Sequence, residues 1–325
     1  MKLVHCLFLV SMTFSLTVAA EEYHTRPDVQ AFIDEMVVEE GFDRALLTDI
    51  FREAQYKQSI IDAISRPAER VLTWKEYQDI FLTDSRVRAG HEFLLDNHRA
   101  LIAAREQYGV PPVIVAAIIG VETMYGRHRG SYRVIDALST LAFDYPPRSK
   151  FFRSELKHYL LLAREEGQSP LAAKGSYAGA MGYGQFIPSS YRHYAIDFDG
   201  DGHRDIWENR TDAIGSVANY LAEHGWRPEG PIAARVAPEG DATLLFGGEL
   251  KPAVPLADLA AYGLANARAD DTLVSPLRFE GKEGSEFWLG FPNFYVITRY
   301  NHSKLYAMAV YQLSQRLLNP EVASE

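Results

Sequence analysis

Glu122 closes the apolar run Ile118-Ile119-Gly120-Val121 and is followed by Thr123-Met124-Tyr125-Gly126. A carboxyl group in such surroundings is desolvated, which disfavours its charged form and raises its pKa. A general acid working near neutral pH needs that property. The competing reading is structural: Arg127 or Arg129 could pair with the same carboxylate, and ion pairs also perturb acids.

A second stretch, Ser176-Tyr177-Ala178-Gly179-Ala180-Met181-Gly182-Tyr183-Gly184-Gln185-Phe186, continues into Ile187-Pro188-Ser189-Ser190-Tyr191. Glycines let a backbone approach a ligand closely, and aromatic faces with amide and hydroxyl groups suit sugar rings. The same composition also suits a tight turn between helices. The most specific spacing follows: Asp197, Asp199, Asp201, Gly202, His203, Asp205 and Glu208 occupy positions 1, 3, 5, 6, 7, 9 and 12 of an EF-hand loop. Carboxylates at the first three ligand positions reach one hard cation, Gly202 makes the sharp turn, His203 offers its carbonyl, and Glu208 can close the site with both oxygens. Calcium is the expected ion and sodium an alternative; the competing reading is an acidic turn. Calcium sensors usually pair two such loops and this chain has a single one, so the ion is expected to be structural. Last, Asn293-Phe294-Tyr295-Val296-Ile297-Thr298-Arg299-Tyr300-Asn301, with Tyr306-Ala307-Met308-Ala309 behind it, is either a cleft wall or an aromatic packing segment.

Helical spacing of apolar residues is to hold these groups in place. It is visible at Val29 to Val37 with Gly41 as a stop, at Leu46 to Ala54, and through Val87 to Tyr108. Pro111-Pro112 opens a strongly apolar helix over Val113 to Val121, as proline is tolerated in a first turn. Further helices are predicted at 151–166, 187–194, 212–224 and 306–317. From Trp226 glycine and proline become frequent and β-rich runs appear at 232–236, 277–280 and 286–289. The fold class is therefore α+β, mainly α, with a small β subdomain inserted in a helical body. The expected divisions are a signal peptide 1–20, an N-terminal helical region 21–96, a core 97–226 containing the EF-hand loop 197–208, a β-rich subdomain 227–291 and a return to the core at 292–318.

The chain has 325 residues, 47% hydrophobic and 23% charged, enough for a sizeable core. Its formal charge of −10 is poorly suited to wrapping nucleic acid, whose phosphates demand basic patches. Lys2, the apolar stretch Leu7 to Leu16 and the small residues Val18-Ala19-Ala20 read as a cleaved signal peptide. That stretch is too short to span a bilayer. Cys6 is the only cysteine and lies too early for lipoprotein processing, so the mature chain has no disulfide and no thiol metal site. The expectation is a soluble periplasmic monomer without a membrane span.

Together, the Gly-Val-Glu-Thr-x-Tyr-Gly segment at 120–126, the glycine-rich segment at 176–186, the single EF-hand loop and the segment at 293–301 resemble the lytic murein transglycosylase B family. The resemblance runs from about residue 28 to about residue 317. It implies a lysozyme-like helical core, a small β domain and a groove for peptidoglycan glycan strands. It also implies cleavage of the bond between N-acetylmuramic acid and N-acetylglucosamine without water, leaving a 1,6-anhydro ring, with no cofactor for catalysis. Glu122 would be the acid and then the base. Ser176 and Gln185 would contact the muramic and acetamido groups, with Tyr77, Tyr300, Asn301 and Tyr306 shaping the cleft. Where the family has two adjacent arginines after Tyr-Pro this chain has Pro147-Arg148, so Arg148 alone is carried over. Two rival readings differ in the groups they need. A hydrolytic muramidase would call for a second carboxylate, for which Asp144 is the nearby acid, and a non-catalytic peptidoglycan-binding protein would need no desolvated acid.

Overall fold

In the computed structural model the described residues are 22–65, 72–247, 249–264 and 272–319. The signal-peptide reading of residues 1–20 lies outside them. The chain forms two compact units, Met1–Tyr56 and Lys57–Glu325. The helices from residue 58 to 96, grouped above with the N-terminal region, are part of the second.

In the first unit, helix α1 (Pro27–Glu40) starts on a proline and stops at Gly41, whose left-handed φ of 67° ends it. Asp43 caps α2 (Arg44–Glu53) by accepting the Leu46 N–H at 2.8 Å. Val29, Phe32, Ile33 and Met36 of α1 and Leu47, Ile50 and Phe51 of α2 are buried, with Phe32 edge-on to Phe51 at 5.9 Å.

The second unit begins with α3 (Gln58–Ile64), α4 (Trp74–Phe81), α5 (Asp84–Asp96) and α6 (His98–Tyr108). A reciprocal box between Thr73 and Glu76 starts α4. The apolar pattern through 87–108 predicts one helix, but Asn97 leaves the helical region at φ −114°, ψ 20° and divides it in two. Next, α7 (Pro112–Thr123) is buried on every side from Ile114 to Val121, as expected of a helix that is hydrophobic all round. Each large aliphatic side chain placed there contributes about 1.5–3 kcal/mol. After it come β1 (Tyr132–Arg133), α8 (Val134–Asp144), α9 (Ser149–Glu165), β2 (Lys174–Gly175), α10 (Pro188–Tyr194) and α11 (Arg210–Glu223), and of these α11 packs on α7. Strands β1 and β2 form an antiparallel pair, Tyr132 opposite Gly175.

The inserted β region holds β3 (Ala233–Val236), β4 (Val254–Pro255), the short α12 (Leu256–Leu259), β5 (Leu273–Gly281) and β6 (Gly284–Gly290). The sheet order is β3-β6-β5-β4 with antiparallel neighbours, Ser275 and Ala233 both lying opposite Gly290. Its own core gathers Ala242, Phe246, Leu256, Leu259, Leu264, Val274 and Leu289. The chain then returns through α13 (Pro292–Tyr300) and α14 (Lys304–Leu318), and α14 packs along α7 and α13. That return brings Tyr300 and Tyr306 to the end of α7. Among the described residues no helix is long and apolar enough to cross a membrane.

Candidate active site

Buried α7 presents a single acid, Glu122, where it ends. The next two residues, Met124 and Tyr125, are left-handed at φ 51° and 57°, a conformation uncommon outside glycine and asparagine. Gly126, at φ 91°, completes the turn: a Cβ there would lie 2.1 Å from the Tyr183 ring, so any other residue would have to displace that ring. Thr123, 1% exposed, fastens this turn to the glycine-rich segment. Its hydroxyl accepts the Gly126 N–H at 3.0 Å and lies 3.0 Å from the Tyr183 carbonyl and 3.1 Å from that of Ile119.

Part of the Glu122 side chain reaches solvent, while its carboxyl accepts the Tyr306 hydroxyl at 2.7 Å. Burial pushes its pKa up to about 7, opposed by the Tyr306 hydrogen bond, which stabilises the anion. Arg127 and Arg129 are not its partners. Arg129 instead ion-pairs with Glu208 at 3.1 Å and donates to the Trp207 carbonyl, and Arg127 lines a separate polar cavity beside Glu92 and Asp96. Three tyrosines feel the charge of Glu122. Burial raises the hydroxyl pKa of Tyr77, Tyr300 and Tyr306, and the charge of Glu122 raises it further. Tyr300 and Tyr306 lie nearly parallel at 6.3 Å, and the Tyr300 hydroxyl donates to the Gly184 carbonyl at 2.5 Å.

The glycine-rich segment is a tight hairpin rather than a helix. Met181 and Phe186 bridge each other, and Gln185 sits between at φ 52°. Its side-chain amide donates to the Gly182 carbonyl at 2.9 Å and to that of Arg129 at 3.4 Å. Gly182, also left-handed, has the Ile206 carbonyl 2.4 Å from where a Cβ would be. Ser176 holds its own turn by accepting the N–H groups of Ala178 and Ala180 at 3.2 and 3.0 Å. Asn301 is exposed where α13 ends, and the Arg148 guanidinium lies over the rings of Phe151 and Phe152 at 4.4 and 5.1 Å. Among the described residues, Tyr77, Tyr300 and Tyr306 are gathered about Glu122, and no hydrogen bond or ring contact ties Ser176, Asn301 or Arg148 to it.

The acidic loop is built around Asp197, which accepts from the N–H groups of Gly200, Asp201 and Gly202 at 2.7 to 3.1 Å. Asp201 and Asp205 turn inward in the same way, accepting from His203 and from Trp207 and Glu208. Gly202 is left-handed at φ 93°, as its place in the spacing requires. The carboxylates brought within 4.8 Å of one another are those of Asp197, Asp199 and Asp212. Glu208, the expected closing ligand, is turned to Arg129 instead. Asp212 was missed because it falls beyond the twelve-residue pattern, in the first turn of α11. It is fully buried and accepts from Phe198 and Asp205 at 2.8 and 2.9 Å. Burial raises its pKa, the backbone donors oppose this, and the charge of Asp199 adds to the rise. Crowded hard oxygens of this kind fit a cation such as calcium.

The family described as Transglycosylase SLT domain matches residues 24–315. The chain belongs to that family. The membrane-bound lytic murein transglycosylase B of Escherichia coli (strain K12) is 43% identical over 319 residues, 95% of this chain and 87% of that protein. The structure of the soluble lytic transglycosylase SltB1 from Pseudomonas aeruginosa superposes with a TM-score of 0.88 at 52% identity, covering 91% of this chain and all of that one. The Escherichia coli lytic transglycosylase SLT35 in complex with calcium has a TM-score of 0.83 at 43% identity, over 91% of this chain and 94% of that one. The resemblance read from the motifs and the mainly helical fold with small sheets both hold for this SLT transglycosylase chain.

Proposed function

We propose that the protein is a lytic transglycosylase that cuts the bond between N-acetylmuramic acid and N-acetylglucosamine in peptidoglycan, with Glu122 as its single acid and base. The observation that carries this reading is the setting of Glu122: at the end of the apolar helix α7 its carboxyl accepts the Tyr306 hydroxyl at 2.7 Å, and burial brings its pKa up to about 7. A hydrolase of the two-carboxylate kind needs a partner acid across the cleft, and around Glu122 the described neighbours are tyrosines. Protonated Glu122 gives its proton to the leaving glycosidic oxygen as the bond to C1 breaks. As carboxylate it then takes the proton from the muramic C6 hydroxyl as that oxygen bonds to C1, closing the anhydro ring. The nucleophile belongs to the substrate, and its fixed proximity replaces a bound water. Tyr306 orients the carboxyl and steadies its anionic form, while Tyr300 holds the Gly184 backbone that the glycine-rich hairpin presents.

Gln185, with Ser176 behind it, supplies polar contacts for the acetamido and muramic groups. The strained backbone supports this assignment: of the four non-glycine left-handed residues among those described, Met124, Tyr125 and Gln185 lie on the turn after Glu122 and on the hairpin facing it, where strain of this kind tends to serve function. Calcium is the ion proposed for the acidic loop, with Asp197, Asp199 and Asp212 as carboxylate ligands and a structural role. It takes no part in the proton transfers. The leader read in residues 1–20 would deliver the chain to the periplasm, where its substrate lies.

The test is digestion of purified peptidoglycan in heavy-oxygen water, with mass spectrometry of the released muropeptides. Anhydro-muramic ends free of label support the reading, and labelled reducing ends would make the protein a muramidase. Absence of products from a folded chain would leave only binding.

A further inference from the structure

Glu208 stands where the twelve-residue spacing puts a cation's closing ligand, yet its carboxylate is not among those that crowd together in the acidic loop. It pairs with the Arg129 guanidinium at 3.1 Å. Arg129 also donates to the Trp207 carbonyl and lies over the Tyr183 ring at 5.1 Å. A guanidinium has several donors in one plane and a flat face, so one side chain meets all three. Arg129 thereby ties the acidic loop to the glycine-rich hairpin from the segment that leaves the catalytic turn. That segment has little room to move: Gly130, next in sequence, is left-handed at φ 89°, and a Cβ there would collide with the Gly175 carbonyl.

The main chain of Arg129 makes a fourth contact. Its carbonyl accepts the Gln185 side-chain amide at 3.4 Å, and the Gly182 carbonyl accepts the same nitrogen at 2.9 Å. Carbonyls only accept, so both must face the NH2 end of the amide; the flipped amide would set oxygen against oxygen. With its N–H groups turned to the backbone, Gln185 keeps Oε1, which no hydrogen bond within the described residues uses. The residue is half-buried, and its amide meets a ligand as an acceptor. An acetamido group fits such a partner through its N–H and not through its carbonyl.

We propose that Arg129 is a positioning residue for glycan recognition: held by Glu208 and Trp207 and laid on Tyr183, it fixes the carbonyl that keeps the Gln185 amide turned to accept an acetamido N–H. The proposal rests on the reading above that Gln185 meets the acetamido groups. Glu208 then serves the cleft and not the cation.

The experiment measures kcat/KM on glycan strands with intact acetamido groups and on strands de-N-acetylated at glucosamine, and takes the ratio as the preference. Wild type should prefer the acetylated strands. Arg129→Met should lower the preference about threefold to tenfold, carried by KM, as for loss of one hydrogen bond. Gln185→Ala should lower it as far, and adding Arg129→Met to Gln185→Ala should change it no further, since residues acting through one contact are not additive. Glu208→Gln alters a side chain that is 76% exposed, so the variant should fold, and the preference should fall about twofold, as for an exposed ion pair. Charge alone predicts the opposite sign there, because losing an anion disfavours the ammonium-bearing strands. The melting response of Glu208→Gln to chelation should remain that of wild type. An unchanged preference in Arg129→Met, or a further fall in the double variant, overturns the proposal. So does an unchanged or raised preference in Glu208→Gln, which decides if Arg129→Met does not fold, and so does loss of its response to chelation. A wild-type preference in Gln185→Ala would remove the reading of Gln185 and the proposal with it, while anhydro ends released by wild type would leave the role of Glu122 standing.

Discussion

Around Glu122 one carboxyl stands among tyrosines at the end of an apolar helix and accepts a single hydroxyl, whereas between Asp197 and Asp212 several carboxylates crowd together and accept a row of backbone N–H groups. In the first region burial raises the pKa and little opposes it. The second has one comparably buried acid, Asp212, and there backbone donors oppose the same desolvation. The difference separates two uses of one functional group. A carboxyl that burial brings near neutrality can give and take a proton, while several carboxylates crowded together and fixed in place by N–H donors can coordinate a cation. Which use a position serves follows from its surroundings and not from the acid itself.

Removing the acid should break the comparison most severely. Glu122→Gln is expected to lower kcat by about a thousandfold, within the usual range for a general acid, read from muropeptide release. The same variant should alter stability with a definite sign. A carboxyl whose folded pKa lies near 7, above its unfolded value of 4.5, costs stability when ionised, so native stability falls as pH rises from 4.5 through 7. Glu122→Gln escapes that loss and should gain on wild type at pH 8 but not at pH 4, by at most about 3 kcal/mol. Thermal melts at the two pH values check it, and an equal difference at both would contradict the raised pKa.

Tyr306→Phe sharpens the contrast by deleting the one hydrogen bond that favours the anion. The Glu122 pKa should rise further, moving the alkaline limb of the pH–rate profile upward, while kcat falls about tenfold to a hundredfold as the carboxyl loses its anchor. In the acidic loop, chelation should lower the melting temperature by several degrees, since an ion at a hundredfold over its Kd contributes about 2.7 kcal/mol. Asp212→Asn should abolish that response. If Glu208→Gln abolished it while Asp212→Asn did not, the twelve-residue spacing would describe the site better than the observed geometry. The smallest effect expected is a loss of about 1 kcal/mol or more in Gly126→Ala, from its left-handed backbone and the Tyr183 ring, measured by denaturant unfolding.

Much of the helical body was legible because its periodicity is strong. The apolar run after Pro112, the stop at Gly41 and the return helix at 306–317 all appear within a few residues of their predicted places. Helices α3, α4, α8, α12 and α13 went unread, and α5 and α6 read as one, because Asn97 interrupts the backbone without interrupting the apolar pattern. The strands were found short: β5 runs from Leu273, and the pairing that extends it depends on partners distant in sequence. At the site, the apolar helix marked Glu122 as a candidate acid but left an ion pair with Arg127 or Arg129 as the competing reading, and only the other motifs together favoured the acid. Tyr300 and Tyr306 stood in a segment read as either cleft wall or aromatic packing, and Tyr77 came only with the family resemblance, for Tyr77 and Tyr306 are 229 residues apart in sequence and nothing local announces their meeting. Asp212 was hidden by a different cause, since a spacing rule for one loop does not look into the following helix.

The most direct test of the central claim is a carbon NMR titration of the Glu122 carboxyl, assigned by its loss in Glu122→Gln. A midpoint near 7 in the wild type, moving higher in Tyr306→Phe, is the result expected of a desolvated single acid and base. A midpoint near 4.5, the ordinary value for glutamate, would contradict it.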